Sequence, residues 1–376
     1  MSLLSNQAYL ITVTAPEIQQ LHAQAGARFG TLNGVEVVLD YGDVQAEYQA
    51  LRNTAGILDL SFRGRLCLTG ADRVRFLHGQ VTNDVKNLKS GQGCYAALVN
   101  AKGKIESDLN IYCLENELLL DFEPGLTPSL TARFEKFIIA DDVQVIDITA
   151  DYGLFSVQGP QADAVVRDFG IGWELPTQPL TFVSVKDSPF GELYCVRSSR
   201  GPATGLDIFV PAASLAMLWE KLVHAVRAHG GRPCGWQALE ITRIEAGIPR
   251  FGQDMDETNL ASEAGIEQRA ISYTKGCYIG QEVISRIRAY GQVAKALRGL
   301  TLDASAPLLP QKGDKIFCNE KQVGYITSST ESPLLQRKIA LGYIRREQNE
   351  IGTELIIHAV EHRITARIVP LPFTPQ

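Results

Sequence analysis

The chain has 376 residues, which is enough for two or three domains with hydrophobic cores and excludes a miniprotein that depends on disulfides. Hydrophobic residues make up 45% and charged residues 21% of the chain, and this composition excludes a disordered or collagen-like protein. The net charge is -6, so binding to a phosphate backbone would need a local basic patch, and we expect no direct nucleic-acid partner.

The sequence shows no membrane segment and no cysteine motif. No run approaches the ~20 apolar residues that span a bilayer, and the beginning of the chain lacks the basic region of a secretory signal. We therefore expect a cytoplasmic protein without a membrane partner. The seven cysteines form no CxxC pair, which argues against a zinc ribbon, a thioredoxin-type site and a disulfide framework, and we expect no metal ligands.

The first part of the chain predicts two helices followed by a β-rich stretch. Thr14 to Glu17 has the spacing of a capping box with proline in the first turn, so a helix should begin there and end at Gly26. A second helix should span 44–55 and end at Gly56. The strands predicted next are 65–69, 94–99, 104–112 and 118–122. Their short links favour antiparallel pairing.

The remainder predicts mixed structure and then a β domain. Helices are predicted at 130–138, 162–169 and 212–229, and a strand at 143–148. Because helices and strands do not alternate as βαβ units, the fold class should be α+β. From about Arg298 onward the helical periodicity disappears, and short alternating runs between glycine or proline turns predict a small closed or sandwiched β domain.

Two motif matches are weak because their structural context is missing. Gly91 to Ala96 matches a dinucleotide-binding fingerprint letter by letter, but a strand pattern follows where that fingerprint needs a helix. His358 and His362 have the spacing of metal ligands on a helix, whereas their isoleucine neighbours favour a strand. We therefore expect a hairpin entry at the first position and two strand histidines at the second.

The segment NAKGKIESDLN, residues 100–110, places two carboxylates on one face of a predicted strand. Glu106 and Asp108 follow a tight glycine turn, and side-chain direction in a strand repeats every two residues. They are either the polar face of a half-exposed hairpin, or Asp108 faces a pocket where it could hold a proton near a ligand nitrogen. The residues alone leave both interpretations open.

The segment KGCYIGQE, residues 275–282, surrounds Cys277 with glycines and places Lys275 two residues before it. A thiol in this setting at the start of a helix would have a lowered pKa and be reactive. The alternative is a buried cysteine in a turn that the glycines shape.

Charged residues are dense on both sides of this segment. Arg243 follows Glu240 by three residues, and the two could simply pair on an exposed helix. A local basic cluster consists of Arg286, Arg288, Lys295 and Arg298. This cluster is either a solvated face or a place where the anionic tail of a ligand docks.

These residues belong to longer strings that resemble the glycine-cleavage T-protein superfamily of folate-dependent aminomethyltransferases. ALEITRIEAGIPRFGQDMDETNLASEAG, residues 238–265, is similar to the superfamily's stretch from RLEAG to EAG. The strings LRNTAGILDLS, GADRVRFLHGQVTNDV and GKIESDL extend the resemblance over nearly the whole chain. KGCYIGQE resembles the signature of one branch, the YgfZ proteins, which are tetrahydrofolate-binding factors of iron-sulfur cluster maintenance linked to tRNA methylthiolation.

The resemblance implies a T-protein-like three-domain cloverleaf around a central folate cavity, with a C-terminal antiparallel β-barrel. It divides the chain into a folate-binding region at 1–290 and a barrel domain at 291–376. Within the folate-binding region, one subdomain should span about 55–140 and the other 1–54 plus 141–290. The implied cofactor is tetrahydrofolate or a one-carbon derivative of it.

The resemblance also implies roles for individual residues. Asp108 falls on the aspartate that aminomethyltransferases use near the folate reaction centre, and we expect it to be catalytic together with Cys277. Arg243 falls on the arginine of RLEAG and should anchor folate. The other folate-binding residues implied are Asn83, Tyr95, Lys275, Tyr278, Gln281, Glu282 and Arg286. We further expect the thiol of Cys277 to open onto the same pterin-sized cavity as Asp108.

One stretch departs from the aminomethyltransferases and decides between the functions. SSRGPATGLDIFV, residues 198–210, stands where they carry RTGYTGEDGFEI and has no counterpart of the glutamate that binds the pterin. The lost charge-assisted contact is worth roughly 1.5–3 kcal/mol. We therefore predict a tetrahydrofolate-binding accessory protein for iron-sulfur cluster assembly or repair, with iron-sulfur proteins or assembly factors as partners.

Two alternatives remain beside this prediction. The first is a folate-dependent aminomethyltransferase with Asp108 as the acid or base. The second is a retained scaffold that binds folate weakly or not at all. Whether the chain is an enzyme therefore stays open at this point.

Overall fold

The computed structural model describes residues 16–374 except Ile171, Trp173 and Gln292. The helices, in chain order, are α1 (Pro16–Gln24), α2 (Val44–Asn53), α3 (Arg73–Gln80), α4 (Thr127–Glu135), α5 (Ala162–Asp168), α6 (Leu215–Ala228), α7 (Trp236–Glu245), α8 (Glu267–Ala270) and α9 (Gln281–Tyr290). Short 3-10 turns at Ala212–Ser214 and Arg346–Gln348 precede α6 and follow the strand that ends at Arg345.

The strands form four sheets. Up to residue 158 they are β1 (Arg28–Leu32), β2 (Val35–Asp40), β3 (Gly56–Asp59), β4 (Gly64–Thr69), β5 (Gln92–Val99), β6 (Ile105–Cys113), β7 (Leu118–Phe122), β8 (Gln144–Asp147) and β9 (Tyr152–Gln158). Those that follow are β10 (Phe182–Ser188), β11 (Gly191–Arg197), β12 (Gly205–Pro211), β13 (Arg232–Pro233), β14 (Lys295–Leu302), β15 (Lys315–Cys318), β16 (Lys321–Ser332), β17 (Arg337–Arg345), β18 (Glu354–Ala359) and β19 (His362–Val369).

A five-stranded antiparallel sheet has the order β5-β6-β7-β4-β8. One face of β6 is apolar, with Leu109 and Ile111 fully buried in a core that α3 and α4 cover. The opposite face of β6 carries Asp108 and Asn110, because side chains along a strand alternate between the two faces of the sheet. The predicted strand is therefore present, but the prediction that Glu106 and Asp108 share one face is wrong. The register shifts opposite Glu106, and this side chain pairs with Arg133 of α4, the helix that covers the opposite face.

A six-stranded sheet has the order β10-β11-β12-β9-β3-β13, antiparallel except for the short parallel pair β13-β3. Helices α5 and α6 pack on it and share a core that includes Leu218, Trp219 and Leu222. These residues lie on one helical face at the spacing that the sequence predicts for a helix at 212–229.

The C-terminal part is a closed antiparallel barrel with the strand order β14-β17-β16-β15-β18-β19, in which β19 pairs back to β14. Its core consists of inward aliphatic side chains such as Leu300, Ile316 and Ile357. The predicted closed β domain is confirmed, and His358 and His362 lie on the strands β18 and β19.

Helix α7 connects the barrel to the rest of the molecule. It packs against α2 and β2 on one side and against β16 of the barrel on the other. Its last residue, Glu245, is buried and accepts hydrogen bonds from the hydroxyls of Tyr48 on α2 and Ser332 on β16. Helix α7 therefore helps to fix the barrel relative to the α2 region.

Some local predictions were wrong in their boundaries. Helix α2 ends at Asn53, and Gly56 begins β3 where the sequence predicted a helix cap. Thr14 and Ala15, in the predicted first cap, lie outside the described residues, whereas α1 itself is present. The strands β9 to β12 were not predicted, because β9 and β12 are almost wholly buried and show no alternation, and β10 carries exposed polar residues.

The predicted subdomain limits stay a prediction. The five-stranded sheet uses strands between residues 64 and 147, and β3 at 56–59 belongs to the six-stranded sheet. None of the helices in the described ranges is long and apolar enough to cross a membrane.

Candidate functional site

A cavity of about 660 Å³ lies between the two large sheets and α7. Its volume falls within the ~300–1,000 Å³ of typical small-molecule sites. The walls come from β5, β6, the β11–β12 connection, α7 with the loop after it, and α8. They consist of Leu60, Arg63, Asn83, Cys94, Tyr95, Asp108, Asn110, Glu123, Thr177, Pro179, Leu180, Arg197, Ser198, Ser199, Arg200, Thr204, Trp236, Leu239, Glu240, Arg243, Ile248, Pro249, Arg250 and Arg269.

Asp108 is the carboxyl on the β6 wall of this cavity. Tyr95, which lies on the neighbouring strand β5, donates a hydrogen bond of 2.9 Å from its hydroxyl to Oδ2 of Asp108. Burial and the nearby charge of Glu123 raise the pKa of Asp108 to about 6, although the bond from Tyr95 opposes the shift. A carboxyl with this pKa exchanges a proton near neutral pH, as an acid or base at a reaction centre must.

The amide of Asn83 holds the Tyr95 wall in place. Its Nδ2 donates to the carbonyl of Tyr95 at 2.8 Å and to the carbonyl of Arg269 at 3.0 Å. Asn83 therefore ties the strand that carries Tyr95 to the helix that carries Arg269. Burial and the charge of Asp108 raise the pKa of Tyr95 well above its usual value, so its hydroxyl stays protonated and remains a donor.

Arginines and carboxylates form a buried network around the cavity. Arg63 binds Asp121 at 2.8 Å and Glu123 at 2.6 Å, and Glu123 also binds Arg250 at 3.2 Å. Burial alone would raise the pKa of Asp121, but Arg63 and Arg200 hold it below its usual value. Buried ions of both signs are thus neutralised pairwise, and the walls are fixed without a ligand.

Arg243, the predicted folate anchor, lines the cavity, but its hydrogen-bond donors are already occupied. Its guanidinium donates to both carboxylate oxygens of Glu240, to Asp254, to the hydroxyl of Ser328 on the barrel and to the carbonyl of Ile248. The side chain is 5% exposed. The predicted pair with Glu240 is present on α7, but it is buried where an exposed pair was expected.

The KGCYIGQE segment does not line this cavity. Cys277 is exposed and four residues before the start of α9, so the expectation that its thiol shares the cavity with Asp108 is wrong. The cysteine on the cavity wall is Cys94, and burial raises the pKa of its thiol to about 12.

Lys275 and Gly280 of KGCYIGQE have structural explanations. The ammonium of Lys275 is buried and donates to the carbonyls of His78, Val81 and Asn83 at 2.6–2.8 Å. Burial lowers the pKa of Lys275 to about 8. Gly280 has φ +83°, and a Cβ there would lie 2.6 Å from the carbonyl oxygen of Asn100. The lysine therefore fastens this segment to the end of α3 and the residues after it, and the glycine allows its close approach to the end of β5.

The remaining predicted site residues divide into two groups. Asn83, Tyr95, Asp108 and Arg243 meet at the cavity. Lys275, Tyr278, Gln281, Glu282 and Arg286 lie outside its walls; Tyr278 is buried, which raises its pKa to about 12, whereas Glu282 and Arg286 are exposed. A role in folate binding for this second group stays a prediction.

Sequence reasoning missed most of the charged wall. Asp121 lies in the apolar strand β7 and Glu123 directly follows it; this i and i+2 spacing in an apolar segment is unusual and could have been noticed. Arg63, Arg200 and Arg250 lie in no motif, and their partners are distant in sequence. Among the described residues, no group of three or more histidine, cysteine, aspartate or glutamate side chains is placed to hold a metal ion.

Two family models match the chain. Residues 18–275 match the model described as the GCVT N-terminal domain, and residues 295–374 match the glycine cleavage T-protein C-terminal barrel domain. The residues between the two matches, 276–294, include α9, and the second match begins with β14.

Individual proteins agree with these models. An aminomethyltransferase of Halalkalibacterium halodurans is 30% identical over 94% of this chain and 96% of its own length, and one of Thermosynechococcus vestitus is 32% identical over 93% and 92%. The crystal structure of the glycine cleavage system aminomethyltransferase T from Bartonella henselae superposes with a TM-score of 0.87 at 26% identity. It covers 98% of this chain and 99% of its own.

These relatives overturn the predicted accessory role in iron-sulfur cluster assembly or repair. The relatives that match nearly the full chain are named for aminomethyl transfer, and none of these comparisons points to the YgfZ branch or to iron-sulfur partners. The geometry supplies a reason for the error. The signature on which the prediction depended fastens one segment to the end of α3 and lies outside the cavity walls.

Proposed function

Because the chain belongs to the glycine cleavage T-protein family and has its fold, we propose that it is a folate-dependent aminomethyltransferase with Asp108 as its acid-base residue. Tetrahydrofolate, the one-carbon carrier of the family, is the proposed second substrate. When bound, it supplies the nitrogens that receive the one-carbon unit.

The observation that carries the proposal is the ionisable carboxyl on the cavity wall. Asp108 is held by Tyr95 at 2.9 Å and has a pKa of about 6, so it can take up and release a proton at physiological pH. The aromatic ring of Trp236 and the aliphatic side chains of Leu60, Leu180 and Leu239 offer apolar walls to a flat ring system. The residues present therefore fit a folate.

The proposed reaction moves the methylene carbon of an aminomethyl thioether to tetrahydrofolate. The carbon-nitrogen and carbon-sulfur bonds of the donor break, the nitrogen leaves as ammonia, and the sulfur leaves as a thiol. The two protons that tetrahydrofolate gives up end on the ammonia and the thiol. Asp108 accepts a proton from a folate nitrogen and returns it to a leaving group, and Tyr95 keeps the carboxyl pointed at the cavity.

The absence of the pterin-binding glutamate should lower the affinity for tetrahydrofolate and should not affect this proton transfer. The other carboxylates on the wall, Glu123 and Glu240, are each bound by two arginines. They are therefore not free to replace the lost contact, and tetrahydrofolate should bind less tightly, by roughly 1.5–3 kcal/mol, than to a relative with that glutamate.

The test is ammonia release from a purified carrier protein with an aminomethyl-lipoyl group, in the presence of tetrahydrofolate. Asp108→Asn should lower the rate by about 10²–10⁴-fold, the usual contribution of general acid-base catalysis. Glu106→Gln is the matched control, because Glu106 lies two residues earlier on β6 but pairs with Arg133 at 2.8 Å outside the cavity walls. The proposal fails if the wild-type chain binds tetrahydrofolate but releases no ammonia, or if both variants lose activity equally.

A further inference from the structure

Among the described residues, six arginines line the cavity, and five of them are neutralised by carboxylates. Each of the five has at least one carboxylate oxygen within 3.3 Å of a guanidinium nitrogen; they are Arg63, Arg197, Arg200, Arg243 and Arg250. Arg269 differs. Within the part of the chain that the structure describes, its guanidinium has no carboxylate at salt-bridge distance, and the side chain is exposed.

The backbone of Arg269 is fixed although its charge is free. Its carbonyl accepts the hydrogen bond from Asn83, and the carbonyl of the next residue, Ala270, accepts one of 2.6 Å from the hydroxyl of Thr82. Thr82 and Asn83 also bind β5, through the carbonyls of Ala97 and Tyr95. The position of Arg269 at the cavity is therefore set before any ligand arrives, which lowers the entropy cost of binding.

The side chain of Arg269 aligns with the proposed reaction centre. Its guanidinium carbon lies 5.1 Å from the centroid of the Tyr95 ring, a cation-π distance, and the hydroxyl of the same ring holds Asp108. Arg269 and Asp108 therefore both contact Tyr95, and all three residues line the cavity. A ligand that brings a reacting nitrogen to Asp108 and extends along Tyr95 would bring its far end to Arg269.

We propose that Arg269 binds the carboxylate tail of the folate, whereas the resemblance implied Arg243 as the residue that anchors the folate. The inference depends on the proposed folate substrate and specifies how that substrate is recognised. A planar guanidinium binds a carboxylate through two parallel hydrogen bonds, and an uncompensated arginine beside a cavity attracts an anion from solution. Arg243 has no donor left for this purpose.

The experiment compares two ligands that differ only in the tail. Isothermal titration calorimetry of the full chain would use tetrahydrofolate and tetrahydropteroate, which lacks the glutamate. We expect Arg269→Gln to weaken the binding of tetrahydrofolate about tenfold, which is the usual effect of losing one exposed charged contact. The affinity for tetrahydropteroate should change by less than about twofold. In the transfer assay the same variant should raise KM for tetrahydrofolate and leave kcat unchanged, because Asp108 is untouched.

Arg288→Gln is the matched control. Arg288 is also exposed and stacks on a tyrosine, with its guanidinium carbon 3.8 Å from the ring centroid of Tyr273, but it is not part of the cavity wall. It should leave both affinities unchanged. Equal losses for the two ligands, no loss for tetrahydrofolate, or a wild-type chain that binds neither ligand would each overturn the role of Arg269. A wild-type chain that shows the predicted difference in binding but transfers no aminomethyl group would refute the proposed function alone.

Discussion

We expect Arg243→Gln to destabilise the folded chain, and not merely to weaken folate binding. The hydrogen bonds of this guanidinium all go to other residues of the chain. Their acceptors are Glu240 on the same helix, the carbonyl of Ile248, Asp254 in the segment after α7, and Ser328 on the barrel. Asp254 is fully buried, and the hydroxyls of Thr327 and Ser328 are its links to the barrel. Removing the cation leaves that carboxylate buried without a counter-charge.

The size of the stability loss depends on how many partners of Arg243 are left without a positive counter-charge. Glu240 keeps Arg250 at 3.3 Å, so its loss is partial. Asp254 keeps two hydroxyls and the backbone N–H of Arg250, but no cation. Breaking a buried pair by removing one partner costs about 3–5 kcal/mol, and because only Asp254 is orphaned we expect about 3 kcal/mol of unfolding free energy to be lost.

The assay is urea unfolding of the full chain, followed by circular dichroism. Arg75→Gln is the control, because Arg75 pairs with Asp72 and Asp141 on the surface and its loss should cost less than about 1 kcal/mol. Adding Asp254→Asn to Arg243→Gln removes the orphaned charge and should recover part of the stability. Wild-type stability in Arg243→Gln, together with a loss of tetrahydrofolate affinity, would refute this reasoning and restore Arg243 as the anchor.

Two further predictions concern the ionisable groups. If Asp108 acts as a base, kcat/KM should rise as the pH rises through about 6, because the pKa of Asp108 is raised to that value. Glu123→Gln removes a negative charge that favours the protonated form, so the pKa of Asp108 should fall and the rising limb should move to lower pH; an unmoved limb would show that Asp108 is not the titrating group. Cys277→Ala should change neither tetrahydrofolate affinity nor, beyond about 0.5 kcal/mol, the stability, because the thiol is exposed and outside the cavity wall; calorimetry and urea unfolding would check this, and a tenfold loss of affinity would contradict it.

Periodicity predicted the parts of the fold in which one face is buried. The stripe of Leu218, Trp219 and Leu222 on α6, the alternation on β6 that turns Asp108 away from Leu109, and the aliphatic strands of the barrel were all readable in the sequence. Strands β9 to β12 were not, because β9 and β12 are almost wholly buried and show no alternation, and β10 carries exposed polar residues.

The site was predictable where it depends on neighbours in sequence and not where it depends on distant ones. The pair Glu240–Arg243 could be expected from its spacing, but the barrel partner Ser328 is 85 residues away. Lys275 suggested a cation that lowers the pKa of a nearby thiol, whereas its ammonium is held by carbonyls 192–197 residues earlier. Arg269 is noticeable only after the partners of the other five arginines are known.

Helix α7 both binds the barrel and forms part of the cavity wall, and this limits how the barrel can be exchanged for that of a relative. Arg243 and Glu245 hold the barrel through Ser328 and Ser332, and the same helix contributes Trp236, Leu239 and Glu240 to the cavity wall. A chimera that exchanges residues 295–374 for the barrel of a relative would therefore have to import hydroxyls at both positions of β16. Without them, Arg243 and Glu245 would each lose a partner on the barrel, and the helix that carries part of the cavity wall would be held less firmly although no residue of that wall had been exchanged.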